Sequence, residues 1–228
     1  MNVLMLGSGP NVTEAADWPR GSFDVVVSIN NAWRVRDDWD YLVHPSDFPE
    51  DRQPKVLTET QQVITYEAYV PANNAFGGIF YAGGTMAFTA GYWALQALRP
   101  KVMAYLGCDM TYDAKQTHFY GKGTADPLRE DKSLRSLEAK SARLQALAAG
   151  EGCACVNLSK DASRLVFPRA TPEDLNSPVA INRSAVDHAL SLEEDAGYVV
   201  PSGKYWKEEA RFDTDLIDEI DAACLRTC

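Results

Sequence analysis

Residues 2–14, NVLMLGSGPNVTE, decide the fold. A short apolar run at 2–6 halts at Gly7-Ser8-Gly9-Pro10. Asn11, with Glu14 three residues later, has the spacing of a capping box, which predicts a helix running towards Trp18. Residues 23–29 (FDVVVSI) form a second apolar, β-branched run that stops at Asn30-Asn31. Strand, glycine turn, short helix and strand is how an α/β protein with a parallel sheet begins.

Working outward, 40–44 (DYLVH) reads as a third strand closed by Pro45-Ser46-Asp47, and 55–57 and 62–66 as two short strands. Glycines at 77–78 and 83–84 precede a helix predicted over 85–98. A strand at 102–106 (VMAYL) follows, ending in Gly107-Cys108-Asp109. Residues 110–128 lack periodicity and read as a loop, 133–149 carry a helical apolar stripe, and 153–158 (CACVNL) form the next strand. Beyond that the pattern weakens: 170–210 read as irregular and 212–225 as a terminal acidic helix. The division expected is a body at 1–169 and a C-terminal extension at 170–228 packed on it.

The stretch 79–98 holds 20 residues without a charge, long enough for a bilayer. Its internal glycines favour a glycine-rich loop feeding a buried helix, so no transmembrane segment is expected. The N-terminus lacks the pattern of a signal peptide. Five cysteines, an odd number without metal-ligand spacing, fit a reducing compartment and a cytoplasmic protein, with a peripheral place at the inner membrane left open. Cys153 and Cys155 should point the same way from their strand.

The formal net charge of -10 argues against nucleic acid as a partner. It is unevenly placed, since residues 170–228 carry 5 Lys+Arg against 13 Asp+Glu and the body is close to neutral. An anionic ligand therefore remains compatible with the body. The acidic end has three open roles: covering the body, self-association into a homo-oligomer, or guiding a basic acceptor.

In a parallel sheet, ligands lie beyond the carboxyl ends of the strands, which directs attention to Gly7-Ser8-Gly9, Asn30-Asn31 and Gly107-Cys108-Asp109. A GxG turn before a helix can bring backbone N–H groups to a phosphate. Val12 stands where a dinucleotide fingerprint has its third glycine, and the second strand ends in amides rather than an acid, which disfavours NAD. No GxxxxGK[ST] occurs. Among three histidines, His118 in Thr117-His118-Phe119-Tyr120-Gly121 is the candidate general base, with Tyr112 and Tyr120 flanking it. His44 ends the third strand and is a candidate for the pocket lining, whereas His188 reads as a helix-face residue. Asp109 binds a cation or caps its loop, and Arg164 and Arg169 read as salt-bridged or solvated.

LGSGPNVTEA (6–15), SINNAW (28–33), LVHPSDF (42–48), YAGGTMAF (81–88), YLGCDM (105–110) and THFYG (117–121) occur in the order seen in the bacterial family-42 sialyltransferases, which the chain resembles over residues 2–169. The wider relatives are 6-hydroxymethylpterin diphosphokinase-like proteins. The resemblance implies a Rossmann-like parallel sheet flanked by helices, a lid shorter than the family's, and metal-independent transfer of a sugar from a CMP-linked donor such as CMP-sialic acid or another nonulosonate. The donor would be a substrate rather than a cofactor, and the acceptor a glycan or another hydroxyl compound. By similarity Gly7, Ser8 and Gly9 lie at the donor phosphate and ribose, and Pro10 and Asn11 beside them are further donor-binding candidates. Asn30, Ser46, Gly83, Gly84 and Thr85 line the nucleotide pocket, His118 is the base, and Tyr112 supports the leaving phosphate; Asn31, His44 and Asp109 join the donor-binding candidates from their places at strand ends. Two alternatives stand beside this expectation: a magnesium-dependent diphosphokinase using Asp109 and Asp113, and a nucleotide- or glycan-binding protein without catalysis.

Overall fold

The computed structural model describes residues 1–111, 117–121, 130–176 and 180–228. Six strands, β1 (Asn2–Leu6), β2 (Val25–Ile29), β3 (Tyr41–Val43), β4 (Gln62–Ile64), β5 (Val102–Leu106) and β6 (Ala154–Asn157), form one sheet. Every pairing is parallel, in the order β4-β3-β2-β1-β5-β6. The register sets Val3 beside Val25 and Met103, and Met5 beside Val27 and Tyr105. This is the Rossmann-like α/β architecture expected from the alternating pattern.

Both faces of the sheet are covered, so the strands read as continuous apolar runs rather than alternating ones. Val3, Met5, Val27, Ile29, Val43, Met103 and Tyr105 belong to one buried cluster. Leu4, Leu6, Val26, Leu42, Ala104, Leu106 and Val156 belong to a second, with Val12, Phe23 and Trp39. Cys153 and Cys155 share the first cluster, as the two-residue strand period requires.

Six α-helices accompany the described strands: α1 (Tyr66–Asn74), α2 (Ile79–Ala82), α3 (Met86–Leu98), α4 (Leu137–Gly150), α5 (Arg183–Ala196) and α6 (Thr214–Cys224). The uncharged stretch at 79–98 is broken at Gly83, whose φ of 89° ends α2, and α3 restarts after Thr85, whose hydroxyl accepts from Phe88 N. Among the described residues no helix is long and apolar enough to cross a membrane.

Several expectations need correction. Residues 55–57 are no strand; Val56 is 84% exposed there and has no sheet partner. The run 62–66 ends at Ile64 because Thr65 turns the chain into α1, a helix with Pro71 inside it. The helix after the first turn is a 3₁₀ helix, Pro10–Asp17, without a side-chain cap. Asn11 there reaches away to Asp109, Ser159 and Asp161. The stretch 170–210 contains α5, capped by Asn182 and closed by Gly197 at φ 63°.

The C-terminal segment is built into the body. Phe212, Ile217, Ile220, Ala223 and Cys224 share the hydrophobic cluster of β1 and β5. Two buried ion pairs tie it to α4. Lys140 Nζ lies 2.7 Å from Asp221 Oδ1, and Arg143 forks onto Glu193 at 2.6 and 2.7 Å while reaching Tyr92 Oη and the Phe76 carbonyl. Part of the acidic charge counted in the sequence is thus neutralised inside the protein.

Candidate functional site

The strand order places β1 between β2 and β5, so the chain leaves β1 towards one edge and returns at β5 on the other side. A crevice opens at such a reversal, beyond the carboxyl ends of the strands. Here it is a cleft of about 880 Å³. Of the residues expected to form the site, Gly7, Ser8, Gly9, Asn30, Ser46, Gly84, Thr85 and His118 all line it.

The glycine turn forms one wall. Gly7 N donates to Leu106 O and Gly9 N to Gly107 O, both at 2.8 Å. A Cβ on Gly7 would lie 2.3 Å from Gly107 O and 2.5 Å from Cys108 Sγ, so this glycine is required by the close approach of two loops. Gly107, with φ 73°, packs on Val12, which explains the missing third glycine: Val12 is part of the same contact. The amides of Gly7 and Gly9, expected to hold a phosphate, are therefore already engaged by carbonyls at the end of β5 and in the turn after it. Ser8 Oγ donates to Ile29 O, and Ser8 O accepts from Phe119 N, docking the histidine loop onto the turn.

His118 is 9% exposed. Burial holds its imidazole below the usual value of 6.5, so the ring is neutral at pH 7. Thr117 Oγ1 stands 2.9 Å from Nδ1. Tyr120 is 37% exposed, outside the cleft lining, with its ring 5.1 Å from that of His118. Tyr112 and Asp113 lie outside the described residues.

Two non-glycine residues in the lining hold left-handed backbone, Asn30 and Met110, each with φ 54°. Such conformations cost free energy and concentrate at functional sites. Asn30 Oδ1 is buried with no hydrogen-bond partner among the described residues. Thr85, Met86 and Ala87 bring the N-terminus of α3, with its amide dipoles, into the cleft.

Other expected residues lie elsewhere. Pro10, Asn11, Asn31, His44, Gly83 and Asp109 are not in the lining. His44 is buried with Nδ1 2.8 Å from Pro45 O and its ring against Phe48. Asn31 is 2% exposed in the 3₁₀ turn after β2. Asp109 Oδ2 accepts from Asn11 Nδ2 at 2.8 Å and Ser159 Oγ at 2.7 Å, a clasp joining the loops after β1, β5 and β6. The other oxygen, Asp109 Oδ1, is buried with no hydrogen-bond partner among the described residues. Arg164 is salt-bridged to Glu138, and Arg169, an exposed residue, donates to the carbonyls of Ser159 and Asp161. His188 is exposed on α5.

Sequence reading missed the opposite wall. Asp47, Tyr66 and Tyr69 stand at its β3–β4 end, and residues 202–206 of the C-terminal segment, Ser-Gly-Lys-Tyr-Trp, form the rest. Tyr205 is anchored by its hydroxyl on Asp131 Oδ2 at 2.7 Å, and Asp131 also accepts from Ser133, whose Oγ accepts from Gly84 N. A Cβ on Gly84 would come within 1.9 Å of the Tyr205 hydroxyl, so that glycine makes room for the tail. The signal available was the Gly203-Lys204-Tyr205-Trp206 alternation of small, charged and aromatic residues.

No protein-family model, no curated protein and no solved structure matches the chain.

Proposed function

We propose that the protein is a metal-independent glycosyltransferase-like enzyme whose donor is a nucleotide-activated sugar, a CMP-linked nonulosonate being the first candidate. The observation that carries this reading is a neutral, buried histidine sharing one cleft with the N-terminus of α3 and the turn after β1. His118 takes the proton of the acceptor hydroxyl as that oxygen bonds to the anomeric carbon. The bond from that carbon to the phosphate oxygen breaks, and the nucleotide leaves with the electron pair and its negative charge. The dipole at the start of α3, Ser8 and Thr85 favour that charge. Tyr112, by the resemblance, adds a phenol to the same oxygen.

The test is calorimetric titration with CMP, CDP, UDP and CMP-sugars, followed by donor turnover by wild type and His118→Ala. The expected outcome is binding by both proteins and a turnover loss of about 10²–10⁴-fold in the variant. Failure of every nucleotide to bind overturns the reading. Full turnover in the variant removes His118 from the mechanism.

A further inference from the structure

Residues 202–206 cross the cleft as a strap with an alternating pattern. Gly203 and Tyr205 are buried, whereas Lys204 and Trp206 are exposed, yet all four line the cleft. The buried pair fixes the strap. Gly203, at φ 73°, sits where a Cβ would touch Val70 and Ile79 at 3.0 and 3.1 Å, and Tyr205 is held by Asp131 and by the edge of Phe80. The exposed pair is presented by that anchor. Trp206 is 60% exposed with its ring edge-on to Tyr205, 5.6 Å between centroids, a large apolar face that the fold itself leaves uncovered.

Among the described residues of the lining, Lys204 is the one Lys or Arg and Asp47 the one carboxylate. Among the described residues the Lys204 ammonium has no ion-pair or hydrogen-bond partner. An uncommitted cation at the cleft wall favours the place beside it for a phosphate. The glycine turn opposite has its Gly7 and Gly9 amides engaged, so Lys204 adds a full positive charge to the partial charges at the start of α3.

We infer that Lys204 binds the donor's phosphate and Trp206 covers a ring of the same nucleotide, which makes the acidic C-terminal segment part of the donor site. The assignment rests on the nucleotide-sugar reading. A tryptophan already pinned by its neighbour loses little freedom on stacking, and an ammonium on a flexible stem can follow a phosphate as it becomes a leaving group.

The experiment titrates wild type, Lys204→Met and Trp206→Ala with CMP and cytidine and with UMP and uridine. Lys204→Met is expected to weaken the nucleotide about tenfold and to leave the nucleoside within about twofold. Trp206→Ala is expected to weaken both about tenfold, and Trp206→Phe to keep most of the affinity. Both side chains are exposed, so thermal midpoints should stay within about 2 °C of wild type. If wild type binds none of these compounds, the nucleotide reading fails and this assignment with it. If wild type binds CMP or UMP and Lys204→Met binds it equally, or loses the nucleoside as severely, the phosphate role alone is overturned. Unchanged affinity in Trp206→Ala overturns the ring contact.

Discussion

The two walls of the cleft invert their sequence signatures. The wall that carries the recognisable motif, Gly7-Ser8-Gly9 against Gly107-Cys108, is closed upon itself, with two of its amides bonded to the Leu106 and Gly107 carbonyls and no space for a Cβ on Gly7. The wall without a motif, contributed by a segment that looks like an acidic appendage, presents a lysine and a tryptophan to the open space. A glycine-rich turn can serve loop packing and ligand approach at once, and here the hydrogen bonds show the first service. Composition averaged over 170–228 hides the second wall, because Glu193 and Asp221 neutralise Arg143 and Lys140 in the interior.

The largest test of that contrast removes what holds the second wall's segment to the body. Arg143→Met leaves Glu193 buried and unpaired and drops the bonds to Tyr92 and Phe76. Urea unfolding should show a loss of about 3–5 kcal/mol; a loss below 1 kcal/mol would mean that the segment is held by its hydrophobic contacts alone. Next comes a paired substitution, one on each wall. Gly7→Ala forces a methyl onto a backbone carbonyl and should cost about 3 kcal/mol, whereas Gly84→Ala meets side-chain atoms of Tyr205 and Ser133, which can shift, and should cost about 1 kcal/mol. Gly84→Ala should nevertheless be the one that weakens nucleotide binding, because it displaces the strap. The reverse ranking would place the ligand on the glycine wall.

His118 gives a pH signature. Its folded pKa is lowered by burial, so its contribution to stability is complete above 6.5 and is lost as pH falls through the folded value. Turnover should accordingly lose activity on an acid limb lying below pH 6.5; a limb centred above 6.5 assigns the base to another group. The smallest effect is expected at Arg135 and Asp218, an exposed bidentate pair that also links the segment to the body. Asp218→Asn should change stability by about 0–1 kcal/mol, less at high salt.

Six strands and the cleft's location were legible because their cause is local. Runs such as VVVSI and VMAYL are continuous apolar stretches buried on both faces, and the β1 and β5 turns are marked by glycine. The place of His118 was legible from its rarity and its loop. What escaped reading has non-local or weak signals. Helix α1 carries Pro71 and a mixed face, and α5 buries a stripe of Ala185, Ala189 and the charged Glu193, which no apolar periodicity reveals. Asn11 looked like a cap because its neighbours in sequence were visible while Asp109 and Ser159, its partners, were not. His44 was expected in the cleft from its place at a strand end, but stacking on Phe48 turns its ring into the interior. The strap at 202–206 depends on a clasp among Gly84, Ser133, Asp131 and Tyr205 that only the folded chain assembles.

Three histidines make the imidazole resonances a direct report on the cleft. His118 lines it, His44 is buried outside its lining, and His188 is exposed on α5. Nuclear magnetic resonance of the ring nitrogens during titration with CMP, CMP-linked sugars and UDP-sugars should show His118 shifting saturably with one nucleotide class while His188 stays fixed. An unchanged His118 signal at saturating concentrations of every donor would contradict the placement of a nucleotide-sugar site in this cleft.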